Sequence, residues 1–235
     1  MGSKMTMMDI VSATRLSKEE FWAKSALGLS LQRLRTNTDF TAYIAIENHR
    51  GLPEVFNERI RAGGGAEHLV FIHDDVWIED HYFADRVIEG LNAFDVIGVV
   101  GNRRRVRGQP SWASRGFDPA TNEVLWDAKE NLSGKIGHGS GPFGAISSFG
   151  PAPAECELLD GVFMAARKSK LQAADVYFDR RFAFHLYDLD FCRTARSKRL
   201  RLGTWPVCLT HQSTGDFRSP AWMDSYLRYK EKWKD

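Results

Sequence analysis

An α/β fold, a single mixed but mostly parallel sheet with helices on both faces, is predicted for this 235-residue chain by three observations. Apolar residues make up 43% of it, enough to bury one substantial core within a single domain. Strand-like and helix-like patterns alternate through its first hundred residues or so, the order from which parallel sheets are built. The apolar run Leu69-Val70-Phe71-Ile72 stops abruptly at His73-Asp74-Asp75. Three ionisable side chains therefore stand at a strand's carboxyl end, where open α/β sheets gather their ligands.

The elements follow in order. Asp9 to Ala13 reads as a first strand ending at Thr14-Arg15, and Ser17-Lys18-Glu19-Glu20 has capping-box spacing ahead of Phe21, Trp22, Ala26, Leu29 and Leu34, an amphipathic helix. Thr41 to Ile46 is β-prone, and Pro53 suits the first turn of a helix ending in Gly63-Gly64-Gly65. After the strand at Leu69–Ile72, a helix passes through Phe83, Val87, Ile88 and Leu91, and Val96 to Val100 supplies another strand. From 102 to 153 glycine, proline, serine and basic residues dominate, so this stretch is expected to be a loop-rich insertion with one hairpin. Order resumes at Leu158 to Met164, and a helix begins near Asp188 with Leu189, Cys192 and Ala195 on one face. A last strand is expected around Trp205 to Thr210. Trp222, Tyr226, Tyr229 and Trp233 recur at helical spacing in a terminal helix over 220–235, expected to pack on the core.

Thirty-two Lys and Arg against thirty Asp and Glu leave a formal charge of +2, too small a field to imply nucleic acid as a partner. Cys156, Cys192 and Cys208 lack metal or disulfide spacing and fit a reducing compartment. No apolar run approaches the roughly 20 residues of a transmembrane segment, and no signal-peptide h-region opens the chain. A soluble, cytoplasmic protein is expected. Met1-Gly2-Ser3-Lys4-Met5-Thr6 fits a myristoylation pattern, but residues 1–8 read better as an expression scar or disordered start, leaving 9–235 as the domain.

A cation bound to a diphosphate needs hard oxygen ligands with coordination positions to spare, which Asp74 and Asp75 can offer. An Asp pair at a strand end can equally cap the next helix, and His73 can cap the strand. Asp188 and Asp190 open a helix, where acids are favoured by the macrodipole, and Asp190 can pair with Arg193 one turn on. Gly161 either admits close backbone approach or marks a strand bend. Arg103, Arg104, Arg105 and Arg107 form a basic run that is either solvated or guides an acidic ligand, and Trp112 could stack on a sugar ring.

Taken together, His73-Asp74-Asp75 after a buried strand, Asp160-Gly161 before another, Tyr187-Asp188-Leu189-Asp190-Phe191-Cys192-Arg193, and His211 after a last strand resemble the bacterial glycosyltransferases related to family two of the GT-A fold. The resemblance runs from Phe71 to Ser213, and includes Ile97 to Gly101 and Phe178 to His185. It implies a GT-A nucleotide-diphospho-sugar transferase fold, a Mn or Mg cofactor, a nucleotide-sugar donor carrying UDP, a carbohydrate or glycan acceptor, and a setting in polysaccharide biosynthesis. Asp75 and His211 would hold the metal, and Asp188 would be the base of an inverting transfer. His73, Asp74, Asp160 and Gly161 would line the donor, with Thr14, Arg15, Glu47 and Asn48 as the nucleotide-contact segments. The polar Gln212-Ser213-Thr214-Gly215 would fold over the diphosphate. The departure from the family pattern is His73, which stands where its first acidic residue is expected.

Three other readings use the same residues. A nucleotidyltransferase that makes nucleotide-sugars shares the layout, but Ser12-Ala13-Thr14-Arg15 lacks the glycines of a triphosphate loop. A metal-dependent hydrolase can use His73, Asp75, Asp188 and His211, yet no His-x-His pair is present. A non-catalytic carbohydrate-binding module on the same scaffold would have no need of both metal-type and base-type acids.

Overall fold

A computed structural model describes residues 8–35, 40–118, 120–213 and 217–235. The start at 1–7 lies outside the described residues, as do Thr214 and Gly215 of the segment expected to cover a diphosphate.

The chain opens with β1 (Met8–Ala13), then α1 (Lys18–Lys24) and α2 (Ala26–Leu34). The single helix expected here is broken at Ser25, whose extended backbone ends α1 and whose hydroxyl caps α2 by accepting from the Gly28 amide. The two helices cross tightly: a Cβ on Gly28 would lie 2.1 Å from the Phe21 carbonyl oxygen. The capping box at Ser17 forms as its spacing predicts, with Glu20 reciprocating. Next come β2 (Phe40–Ala45), α3 (Leu52–Arg61), β3 (His68–Ile72), β4 (Val76–Ile78) and α4 (Phe83–Ala93).

The strand expected over Val96–Val100 is two strands, β5 (Val96–Gly98) and β6 (Val100–Asn102), which bend apart at Val99 into different sheets. Gly134, at φ +99, packs onto that bend, and a Cβ there would lie 1.9 Å from the Val99 oxygen. The stretch 102–153 is far more ordered than its composition suggests. It holds β7 (Ser114–Phe117) paired with β8 (Val124–Trp126), and β9 (Leu132–His138) paired with β10 (Ala145–Gly150). Its glycines mark close packing as well as turns: Gly137 abuts the Thr210 side chain and Gly144 the His138 carbonyl. The four arginines of the basic run are exposed, and they also hold contacts within the fold. Arg104 pairs with buried Asp127, Arg105 lies 3.8 Å from Asp235, and Arg107 donates to the Lys234 carbonyl.

The remaining elements are β11 (Ala154–Cys156), β12 (Leu158–Leu159), β13 (Phe163–Arg167), α5 (Lys168–Ala173), α6 (Tyr187–Ser197), β14 (Leu202–Thr204), β15 (Leu209–His211) and α7 (Pro220–Trp233). The strands form a seven-stranded sheet, β11-β14-β5-β13-β3-β1-β2, a six-stranded group, β12-β6-β9-β15-β4 with β10 on β9, and the β7–β8 hairpin. The fold is α/β as predicted, but the single, mostly parallel sheet is corrected on two counts. The strands divide among sheets, and parallel pairs (β1 with β2 and β3, β5 with β14) share the larger sheet with antiparallel ones (β13 with β3 and β5, β11 with β14). Helices flank it, α3 against β1, α4 against β5 and β13, and α6 against β14 and also against β12 of the six-stranded group. One hydrophobic core runs from Met8 to Tyr229, with Trp222, Tyr226 and Tyr229 of α7 buried in it.

Two antiparallel pairings decide which residues meet. In β13 Phe163 lies opposite Ile72, so the residues that enter β13 sit beside the carboxyl end of β3. In β15 His211 lies opposite Val76, directly after Asp75.

Candidate active site

His73-Asp74-Asp75 is pinned by its backbone to three parts of the chain. The His73 amide donates to the Val162 carbonyl (3.2 Å), the Asp74 carbonyl accepts from Leu27 in the first turn of α2 (3.1 Å), and the Asp75 carbonyl accepts from Gln212 beyond β15 (3.0 Å). The triplet thus sits at the junction of both main sheets and the first helices.

His73, Asp75 and His211 converge, each offering a ligand atom within 4.8 Å of the others. His211 Nε2 lies 3.3 Å from Asp75 Oδ2, and His73 Nδ1 lies 4.0 Å from Asp75 Oδ1. Asp75 Oδ1 is buried without a hydrogen-bond partner, a costly state for a carboxylate oxygen unless a cation meets it. Burial pushes the Asp75 carboxyl up, yet the hydrogen bond and charge of His211 outweigh it and hold Asp75 below its ordinary value. Burial likewise pushes His211 down, and Asp75 more than offsets this and raises it. His73, whose largest influence is desolvation, is lowered, which favours its neutral imidazole. Two imidazole nitrogens and a carboxylate fit a divalent transition-metal cation better than Mg, which prefers an all-oxygen shell.

Asp74 turns to the other side. It is raised by burial, with the Asp75 charge adding to this and a hydrogen bond from Thr14 opposing it. Thr14 is buried at the end of β1, where its amide donates to Ala45 and its carbonyl accepts from Asn48. The segments expected to touch a nucleotide are therefore adjacent, though their side chains divide. Arg15 and Glu47 are exposed at this rim, Arg15 against His49 and Glu47 in a left-handed conformation at φ 48. Asn48 spends its side chain on its own turn, bonding both the amide and carbonyl of Arg50 (3.3 and 2.7 Å).

Across from the triplet, α6 delivers Asp188, whose Oδ2 accepts from the Gly161 amide at 3.0 Å. Burial and then the negative charge of Asp160 push its carboxyl up to about 7, within the range of a general base working near neutrality. Asp160 has both oxygens held, one by the Val162 amide at 2.8 Å and the other by the indole N–H of Trp112. Gly161 must be glycine because α6 comes so close: a Cβ there would lie 2.4 Å from the Tyr187 hydroxyl and 2.9 Å from Asp188 Cβ. Asp190 faces away, with Lys232 and Trp233 of α7 as partners, while Arg193 pairs with Asp235, so the expected Asp190–Arg193 pair does not form.

Four residues join this neighbourhood that sequence reasoning gave no such part. Tyr187 bonds His73 at 2.8 Å, a contact foreshadowed only by its place beside Asp188. Trp112, expected to stack on a sugar, is instead buried edge-on to Phe149 and orients Asp160. Phe184 stacks on the His73 ring at 5.8 Å while 53% exposed, and His138 of β9 faces His211 with ring centroids 6.5 Å apart. Phe184 falls within the Phe178 to His185 stretch of the resemblance, but nothing local in the sequence marks its contact with His73 or that of His138 with His211, because the partners lie far apart along the chain.

No protein-family model matches the chain, and no curated protein matches it. Among solved structures it is similar to GalNAc-T7 with UDP, GalNAc and Mn2+, at a TM-score of 0.52 and 11% identity over 97% of this chain and 48% of that one. It is also similar to the catalytic domain of Drosophila beta1,4galactosyltransferase 7 in complex with xylobiose (TM-score 0.49, 9% identity, 85% and 65% covered). A third is S. aureus TarS 1-349 in complex with UDP (TM-score 0.45, 11% identity, 94% and 63% covered). The chain spans less than two thirds of each of these chains. At these identities the likeness shows the fold alone, and that fold is GT-A.

Proposed function

We propose that this chain is a glycosyltransferase related to family two that transfers a sugar from a nucleotide-sugar, carrying UDP, to an acceptor hydroxyl with inversion. The observation that carries the reading is the pairing of two unlike groups across one junction: a His73–Asp75–His211 cluster with a buried, unpartnered carboxylate oxygen, and a half-buried Asp188 whose desolvation raises it to about 7. A GT-A scaffold puts them together, and its likeness to a structure containing UDP, GalNAc and Mn2+ agrees with a nucleotide-sugar and a divalent cation.

In this reading His73, Asp75 and His211 hold the cation, which would supply the positive charge that stabilises a departing nucleoside diphosphate. Asp188 accepts the acceptor's hydroxyl proton as that oxygen attacks the anomeric carbon. Its partial desolvation serves this step, because a carboxylate that has lost part of its hydration is a stronger base than a fully exposed one. Asp160, fixed by Trp112 and Val162, lines the donor sugar, and Thr14, Arg15 and Glu47 form the nucleotide side. The reading carries a cytoplasmic location with it, supported by three free cysteines and by the fact that no described helix is long and apolar enough to cross a membrane.

The test is calorimetric titration with UDP, with and without Mn2+, followed by incubation with a panel of nucleotide-sugars and acceptors. Metal-coupled UDP binding and metal-dependent release of nucleoside diphosphate are expected. Pyrophosphate release from a sugar phosphate and a nucleoside triphosphate would make the chain a nucleotidyltransferase, and the absence of metal-coupled binding to any nucleotide would sink the donor site.

A further inference from the structure

The hydroxyl of Tyr187 lies between two partners of different kinds. It is 2.8 Å from the carbonyl oxygen of Gly161 and 2.8 Å from Nε2 of His73, in a side chain only 3% exposed. A carbonyl can only accept, so the single phenolic proton goes to Gly161. The phenolic oxygen is left to accept, and the only hydrogen available from His73 is one on Nε2. A neutral imidazole carries one proton, which leaves Nδ1 bare, and Nδ1 is the nitrogen that faces Asp75 Oδ1 across 4.0 Å. That gap is too wide for a hydrogen bond. Both atoms present lone pairs to each other, and Asp75 Oδ1 has no other partner. The opposite tautomer would ask the one phenolic proton to serve both Gly161 and His73 Nε2, and would leave one of two buried acceptors unpaired.

We propose that Tyr187 is a positioning residue that locks His73 in its Nε2–H tautomer and so keeps Nδ1 available as a ligand in the cation cluster. Gly161 takes part by having no side chain, since a Cβ would lie 2.4 Å from the phenolic oxygen. Tyr187 stands next to Asp188 on α6, so one helix terminus both supplies the base and sets the imidazole. The second half of the inference, the service to a cation, rests on the metal-dependent reading above. The tautomer itself does not.

The experiment is a long-range proton–nitrogen correlation on the metal-free full chain carrying 15N-labelled histidine, at pH 8, with H73Q to assign the signals. Nε2 of His73 is expected to be protonated and Nδ1 bare. In Y187F the preference should relax towards a mixture, and Mn2+ affinity, read by water-proton relaxation, should fall about tenfold or more, as when a hydrogen bond orienting a liganding histidine is removed. A wild-type chain with the proton on Nδ1 overturns the proposal, as does a Y187F chain with unchanged tautomer and unchanged Mn2+ affinity. Should Y187F fail to fold, the wild-type spectrum alone decides. A wild-type chain that shows the Nε2–H tautomer but binds no Mn2+ overturns the cation reading and leaves the tautomer lock supported.

Discussion

Asp188 is the residue on which stability and proposed activity pull apart. Its folded value near 7 lies above the ordinary value of about 4, so between those two pH values the folded chain holds a proton that the unfolded chain releases. Stability from this group is therefore present in acid and is lost as pH rises through that window. D188N, which can still accept from Gly161, should melt at the same temperature as wild type or higher at pH 8 while retaining metal-dependent UDP binding. Its turnover should fall about 10²–10⁴-fold, the usual worth of a positioned base. In the wild type, kcat/KM should climb with pH below 7 and level off above it, as expected when the deprotonated acid is the active form. Asp75→Ala should instead abolish metal-coupled nucleotide binding by calorimetry. Wild-type turnover in D188N would remove Asp188 from the role of base.

Among the elements, β9 is where composition misled most. Its Gly134 and Gly137 lower any strand expectation, yet β9 lies inside the six-stranded group, between β6 and β15. Gly134 stands at a positive φ against the Val99 carbonyl, and Gly137 makes room for Thr210 of β15. Gly134→Ala should cost about 2–4 kcal/mol through backbone strain and overpacking, read as a lower urea midpoint with an unchanged slope. Where spacing alone defines an element, as in the Ser17 capping box, α4 and α7, the sequence located it to within a few residues. The break at Ser25 was visible only afterwards, because serine tolerates a helix interior and becomes a double cap only when Gly28 allows α2 to cross α1.

Across the whole molecule, α7 closes the structure with charge as well as with aromatic surface. Lys232 reaches Asp179 and Asp190 (2.9 and 2.7 Å), and Asp190 is 1% exposed. Removing the cation in K232M leaves the buried Asp190 carboxylate without a charged partner, while Asp179 keeps Arg181, and should cost about 3 kcal/mol by denaturant unfolding. A loss no greater than that of an exposed pair would show the network to be solvated. Asp179 and Asp127 are pushed up by burial but held well below the usual carboxylate range by Arg181 and Lys232 and by Arg104 and Asn102. Their contribution is complete above the unfolded value near 4 and is lost as pH falls below it, so a thermal-melt series should drop steeply on the acid side of pH 4.

By itself the sequence determined the α/β class, most elements and the carboxyl-end position of His73-Asp74-Asp75, because periodicity, capping and the end of an apolar run are local properties of the chain. It also picked out Asp160-Gly161, Asp188 and His211 as candidates. Tertiary structure decided which atoms meet. The antiparallel settings of β13 and β15 carry Asp160-Gly161 and His211 to the triplet, and with them come Tyr187, Trp112 and His138. It also decided that the arginine run braces the 102–153 stretch and the C-terminus. Strand register and helix docking depend on partners tens of residues away, and the free energy that selects them comes from burying surface no single segment possesses.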